Sequence, residues 1–155
     1  MSAYPDRPAV GVLAVLWKDG RVLLVQRANP PEQGKWGFPG GRQHLGETLA
    51  EAAVRELKEE TGVTGEARGS FTALDVIDRD GEGRVRYHYA LVAVLLEWRA
   101  GEPVAADDAL AVAWRTPDAL GDETHPLCAE VNEVVALVAR LRGELGQRNL
   151  PRRAQ

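Results

Sequence analysis

Cysteine is nearly missing from this chain: Cys128 is the only one among 155 residues. An internal disulfide is therefore impossible, and a zinc site built from cysteines has no second ligand of that kind. Pro126, Leu127, Val131 and Val134 surround it in sequence, which marks the thiol as a small buried hydrophobe rather than a nucleophile. Also lacking is any apolar run of the ~18 residues that would cross a membrane. Met1 to Pro8 carries no apolar core of the signal-peptide kind. There is no basic excess either: 19 Lys and Arg stand against 23 Asp and Glu, for a formal net charge of −4. Bulk charge attraction to nucleic acid is disfavoured by that balance. Lysine is scarce, with three residues against sixteen arginines; arginine suits bidentate phosphate contacts, although genome composition produces the same bias. Together these absences lead us to expect a soluble, cytoplasmic protein with a small-molecule partner, engaging neither nucleic acid nor membrane.

The length and the 45% apolar content are those of one globular domain, expected over residues 1–146 with a polar tail at 147–155. Val10 to Trp17 (VGVLAVLW) is a continuous apolar run and predicts a buried strand. Lys18-Asp19-Gly20 is a hairpin turn, and Arg21 to Arg27 predicts the return strand. Ala28 to Lys35 has loop chemistry, and Trp36-Gly-Phe-Pro-Gly-Gly41 extends the irregular stretch. Thr48 to Thr61 predicts a helix with a core stripe of Ala50, Ala53, Val54 and Leu57, stopped by Gly62. Strands are predicted at Phe71–Ile77, Val85–Trp98 and Ala111–Arg115, and a second helix at Pro126–Leu145 facing inward through Val131, Val134, Val135, Val138 and Leu141. Helices mixed with hairpins predict a mixed sheet covered by helices.

The first helix holds the chemistry. Glu56, Glu59 and Glu60 stand at i, i+3 and i+4, so they share a face, beside the core stripe. Like charges at that spacing repel, and they occupy the last turns, where the helix dipole disfavours anions. Two readings account for this. One is a solvated acidic face partly neutralised by Arg55, which lies four residues from both Glu51 and Glu59. The other is a site for a hard divalent cation, which prefers carboxylate oxygen and keeps waters for chemistry.

The surroundings favour the second. Gly41, five residues, Glu47, seven residues, then Arg55-Glu56-Leu57-Lys58-Glu59-Glu60-Thr61-Gly62-Val63 is the full signature of the Nudix hydrolases, which this chain resembles. Seven letters of that pattern are fixed, and at about 7% per letter a chance match at one start is on the order of 10⁻⁸, too rare to dismiss. The likeness extends upstream through Gln26-Arg27 and Trp36 to Gly41.

The resemblance implies an α/β (α+β) Nudix fold, an α/β/α sandwich with a central mixed β-sheet. It implies hydrolysis of a diphosphate joined to another moiety, usually a nucleoside, with two or more Mg²⁺ or Mn²⁺ ions. Such a reaction needs phosphate charge neutralised and a water activated in line. By position in the motif, Glu56, Glu60 and Glu59 would hold metal with the carbonyl of Gly40, Arg55 would orient the glutamates, and Glu47 would brace the loop. The Gly40-Gly41 pair would permit the tight turn that presents that carbonyl. The general base would be Glu56 or Glu59 within the helix, or Asp108 outside it with Asp107 as neighbour; a plain polar loop is the competing reading of that pair. His44 stands where many relatives carry Glu. Relatives are often dimers, so a homodimer is implied as well.

Fainter signals remain. Asp78-x-Asp80-x-Glu82-Gly83 imitates half of a calcium loop, but Tyr89 occupies the twelfth position and the flanks are strand-like, so a hairpin turn is expected. His88 and His125 are expected to be structural. Among nine aromatics, most must be core. Phe38 and Tyr87 or Tyr89, one of the tyrosines facing the open side of its strand, are the candidates for the substrate cleft, with Arg27 as a phosphate contact. Arg148, Arg152 and Arg153 are expected to be solvated. For substrate, the resemblance implies ADP-ribose, giving AMP and ribose 5-phosphate, or a (deoxy)nucleoside triphosphate. In relatives that act on ADP-ribose a proline often follows the motif, and here that position is Asp78. A non-catalytic nucleotide-binding module is the further alternative, against which all three glutamates stand intact.

Overall fold

The computed structural model describes residues 3–148. Strand β1 (Ala9–Lys18) turns into β2 (Arg21–Arg27) through Asp19 and Gly20, both with positive φ (52° and 75°), the backbone that a two-residue hairpin requires. Two short strands follow, β3 (Trp36–Gly37) and β4 (Gly40–Arg42), within the stretch expected to be irregular. The sequence hides them because glycine and proline dominate there and neither strand is long enough to show alternation. Helix α1 (Leu49–Thr61) leads to the long hairpin β5 (Thr64–Arg79) and β6 (Val85–Ala100), then β7 (Ala109–Arg115) and helix α2 (Val131–Arg148).

The strands form one sheet in the order β3-β2-β1-β6-β5, with β4 paired to β1 and β7 to β2. It is mixed, because β1 and β6 run parallel while the other pairs are antiparallel. The continuous apolar run of β1 follows from burial on both faces. Val12, Ala14 and Leu16 join the core under α1, with Ala52, Ala53 and Leu57. Leu13 and Val15 join the core under α2, with Val131, Val134, Val135 and Val138. Two helices on opposite faces of a mixed sheet make the α/β/α sandwich that was expected.

Several boundaries differ from expectation. β5 begins at Thr64 rather than Phe71, because the polar, glycine-bearing stretch TGEARGS is an edge strand with register shifts around Arg68 and Phe71; such bulges blur the alternation that would reveal it. Helix α2 begins at Val131, not Pro126: Pro126 to Glu130 is a loop in which Trp36 N–H donates to Pro126 O and Cys128 N–H to Trp36 O. It continues to Arg148, so the first two residues assigned to the tail are helical, and the rest of the tail lies outside the described residues. The calcium-like segment is a hairpin turn, its Asp80 Oδ1 accepting from the N–H groups of Glu82 and Arg84. Among the described residues no helix is long and apolar enough to cross a membrane.

Candidate active site

Helix α1 is bounded by two caps. Thr48 Oγ1 accepts from Glu51 N–H at 3.1 Å, and Gly62, at φ 75°, returns its N–H to Lys58 O. Its buried face is rotated from the expected stripe. Ala50 is exposed, and Ala52, Ala53, Glu56, Leu57, Glu60 and Thr61 are buried. Glu56 and Glu60 therefore lie within the packed face rather than beside it, 9% and 7% exposed, while Glu59 is exposed. Apolarity is a poor guide to that face because two of its positions are carboxylic acids.

Arg55 organises this group. Its Nε and Nη2 donate to the two carboxylate oxygens of Glu47 at 2.6 and 2.9 Å, and its Nη1 donates to Glu56 at 2.8 Å and Glu59 at 3.2 Å. Nη2 also donates to Arg42 O. Glu47 is further fixed by His44 N–H, so the loop before α1 is clamped onto the helix. The guanidinium holds the Glu47 carboxyl down at about 2. A depressed acid stabilises the fold above its ordinary range near 4.5 and loses that contribution as pH falls toward 2. We expect Glu47→Gln to lower the unfolding midpoint by a few degrees at pH 7 and the gap to wild type to close between pH 4.5 and 2, as read by circular dichroism melts.

Opposite the helix, Gly40 and Gly41 pair with Leu13 and Val12 of β1. Neither glycine has positive φ, so the expected tight turn is not what requires them. Close approach is. A Cβ on Gly40 would lie 2.1 Å from Val12 O, and one on Gly41 2.5 Å from a Glu56 carboxylate oxygen. Gly41 leaves the space in which Glu56 sits. Burial, and then the nearby Glu56 charge, push the Glu60 carboxyl up to about 8, although the Gly40 amide faces it; burial raises Glu56 as well.

These groups line a cleft of about 600 Å³, within the usual size for a small-molecule site. Arg27, Phe38, Gly40, Glu56, Glu60, Tyr87, Tyr89 and Asp108 all line it. Both tyrosines face it, not one, because residues two apart on a strand share a face. Glu47, Arg55 and Glu59 are not among its lining residues; Arg55 ties Glu47 and Glu59 to Glu56, which is. Asp108 accepts from Asn29 Nδ2 at 2.8 Å, and Ala28 N–H donates to Asp108 O, which ties the loops after β2 and before β7 together at the rim.

The match to known proteins agrees with this geometry. The family model described as the NUDIX domain matches residues 5–138. The chain belongs to the Nudix hydrolase family. It is 39% identical over 102 residues to the ADP-ribose pyrophosphatase of Methanocaldococcus jannaschii, a match covering 66% of this chain and 58% of that protein. It is 36% identical over 80 residues to the CTP pyrophosphohydrolase of Escherichia coli, covering 51% of this chain and 57% of that protein. The crystal structure of a MutT Nudix hydrolase from Burkholderia pseudomallei superposes with a TM-score of 0.74 at 32% identity, over 86% of this chain and 99% of that one. The chain thus spans less than two thirds of the length of the two curated relatives.

Nudix hydrolases generally use divalent metal ions, and the residues here fit one. Glu56 and Glu60 offer hard oxygen donors beside a glycine wall that a Cβ would fill. Among the described residues, however, the three metal-capable side chains whose ligand atoms fall within 4.8 Å of one another are Glu32, Cys128 and Glu130. That cluster lies outside the Nudix motif. Burial pushes the Cys128 thiol up to about 12, and Glu32 also accepts from Lys35 Nζ and Ala129 N–H, so it latches the loop after β2 to the start of α2. Cys128 is 2% exposed, and only a thiolate reacts with an alkylating agent. We expect no labelling by iodoacetamide at pH 8 in the folded Nudix domain and complete labelling in guanidinium, read by mass spectrometry.

Sequence reading missed Arg42, Asn29, Glu32 and Glu130, all of which line the cleft. Arg42 had a signal, since it directly follows Gly41. Glu130 had none, because it falls inside the helix that was expected to start at Pro126.

Proposed function

We propose that this chain hydrolyses a nucleoside diphosphate linked to a second moiety, with ADP-ribose, cleaved to AMP and ribose 5-phosphate, as its substrate. The observation that carries this reading is the buried pair Glu56 and Glu60 facing Gly40 and Gly41 in a cleft whose other walls hold Arg27, Tyr87 and Tyr89. Glu56, Glu59, Glu60 and the Gly40 carbonyl would hold Mg²⁺ or Mn²⁺, two or more ions. When bound, the metal supplies charge neutralisation on the phosphate oxygens. Arg55 keeps Glu56 and Glu59 aimed, and Glu47 fixes Arg55 in turn.

In the reaction a water oxygen bonds to one phosphorus and the bridging P–O bond breaks, its electron pair leaving with the departing phosphate. The water's proton passes to a carboxylate. Glu56, Glu59 and Asp108 are the candidates; Asp108 has one oxygen engaged by Asn29, and among the described residues its other oxygen has no hydrogen-bond partner. Arg27 would contact phosphate, and Phe38, Tyr87 and Tyr89 would line the nucleoside side.

Similarity to the Methanocaldococcus jannaschii enzyme supports ADP-ribose. Similarity to the Escherichia coli enzyme supports a second reading, pyrophosphohydrolysis of a nucleoside triphosphate to its monophosphate. Chromatographic product analysis with Mg²⁺ on ADP-ribose, CTP, the dNTPs and oxidised dGTP separates them. AMP from ADP-ribose at the highest kcat/KM supports the first; pyrophosphate release from a triphosphate at the highest kcat/KM replaces it with the second. No turnover of any of these compounds overturns both and leaves a nucleotide-binding module.

A further inference from the structure

The cleft is rich in carboxyl groups. Glu32, Glu56, Glu60, Asp108 and Glu130 all line it, and a diphosphate brings further negative charge. The cations nearby are mostly committed. Arg55 is engaged by Glu47, Glu56 and Glu59, and Lys35 by Glu32. Arg27 lines the cleft from the end of β2 with its Nε donating to Pro31 O; among the described residues its two terminal nitrogens have no hydrogen-bond partner.

Arg42 is different. It ends β4, directly after the glycines that wall off Glu56, and the register sets it opposite Gly11, whose other neighbour is Leu91. Its carbonyl is fixed by Arg55 Nη2, so its backbone is locked to the glutamate cluster. Its side chain is exposed and lines the cleft. Among the described residues its guanidinium makes no ion pair and no side-chain hydrogen bond. Arg42 and Arg27 both act electrostatically on Tyr89, which also lines the cleft, and they reach it from different strands, β4 and β2. Arg42 and His44 also border a second, shallower hollow of about 350 Å³ lined by residues 8–10 and 42–47, so both residues line the two hollows.

Resting on the proposed function, we propose that Arg42 is a phosphate-binding residue, donating to the substrate's diphosphate from the β4 side while Arg27 does so from β2. The planar fork of two N–H groups matches phosphate oxygens better than a point charge does, and among the described residues no acceptor competes for it. The contact operates on phosphate and needs no metal, so it is testable in both states.

The test pairs turnover with binding. Arg42→Ala should lower kcat/KM for the substrate that the wild type turns over by roughly ten- to a hundred-fold, the range for a charged hydrogen bond. Arg42→Lys should recover part of it, because the charge remains and the fork is lost. In EDTA, calorimetric affinity for α,β-methylene-ADP, a non-hydrolysable diphosphate, should fall about tenfold or more in Arg42→Ala. The unfolding midpoint of both variants should match wild type, since the side chain is exposed and unpaired. Wild-type affinity for the diphosphate in Arg42→Ala, or no binding by the wild type itself, overturns the assignment. Failure of the wild type to hydrolyse any diphosphate overturns the proposed function instead, and the binding arm still decides the role of Arg42.

Discussion

Gly41→Ala is expected to remove turnover while leaving a folded protein. The added Cβ would lie 2.5 Å from Glu56 Oε1 and 2.7 Å from its Cδ, far inside any tolerated contact. What it meets is the far end of a flexible side chain, so the carboxylate moves and the backbone does not. Glu56 is also held by Arg55 Nη1 at 2.8 Å, and shifting it strains the clamp that aims Glu47 and Glu59. Misplacing a reacting group by about 1 Å costs on the order of a hundredfold in rate. We therefore expect kcat to fall by about that factor or more, with an unfolding midpoint lowered by only a few degrees. Gly40→Ala is the contrast. Its Cβ would sit 2.1 Å from Val12 O, a backbone atom in the central strand, so β1 itself would have to shift. That variant should lose soluble, folded protein rather than activity alone. Steady-state kinetics and melts on the two variants separate the outcomes. If Gly41→Ala retains wild-type kcat, the position of Glu56 does not govern the reaction.

Much of this site is legible in the chain because it is local. Gly41 to Val63 encodes the loop, the clamp and the helix within 23 residues, and the Arg55 contacts to Glu47, Glu56 and Glu59 follow the spacing that the motif implies. The β1–β2 hairpin is similarly local, set by an Asp-Gly turn between apolar runs. What escaped depends on tertiary placement. The true buried face of α1 includes two glutamates, so hydrophobic periodicity alone assigned Ala50 to the core in place of Ala52. β3 and β4 exist because β1 and β2 offer partners, not because Trp36-Gly37 or Gly40-Gly41-Arg42 favour a strand. Arg42, Asn29 and Glu130 reach the cleft from separate loops and strands, and nothing in their local sequence states which wall they will share.

Glu60→Gln should separate stability from function most sharply. Glu60 is 7% exposed, and among the described residues it makes no ion pair. Its carboxyl is pushed up to about 8 by burial and by Glu56, so in metal-free protein at pH 7 glutamine replaces a group that is already mostly neutral. The amide is nearly isosteric, and it removes the charge repulsion with Glu56 that ionisation would bring. The metal-free variant is therefore expected to melt at or slightly above the wild-type temperature. The proposed function needs the opposite property. A neutral amide offers a divalent cation one weak oxygen in place of a carboxylate, and the anionic diphosphate then faces Glu56 with less cationic charge to offset it. We expect kcat/KM to fall by roughly a hundredfold or more, in the range seen on removing one electrostatic partner of a charged transition state. The decisive measurement is a pair of melts with and without Mg²⁺. A ligand at a hundred times its Kd stabilises the folded state by about 2.7 kcal/mol, so wild type should gain several degrees on addition of Mg²⁺ and Glu60→Gln should gain little. If the variant gains as much as wild type, the metal is held elsewhere; the Glu32, Cys128 and Glu130 cluster is then the place to look, with Glu130→Gln as the next substitution.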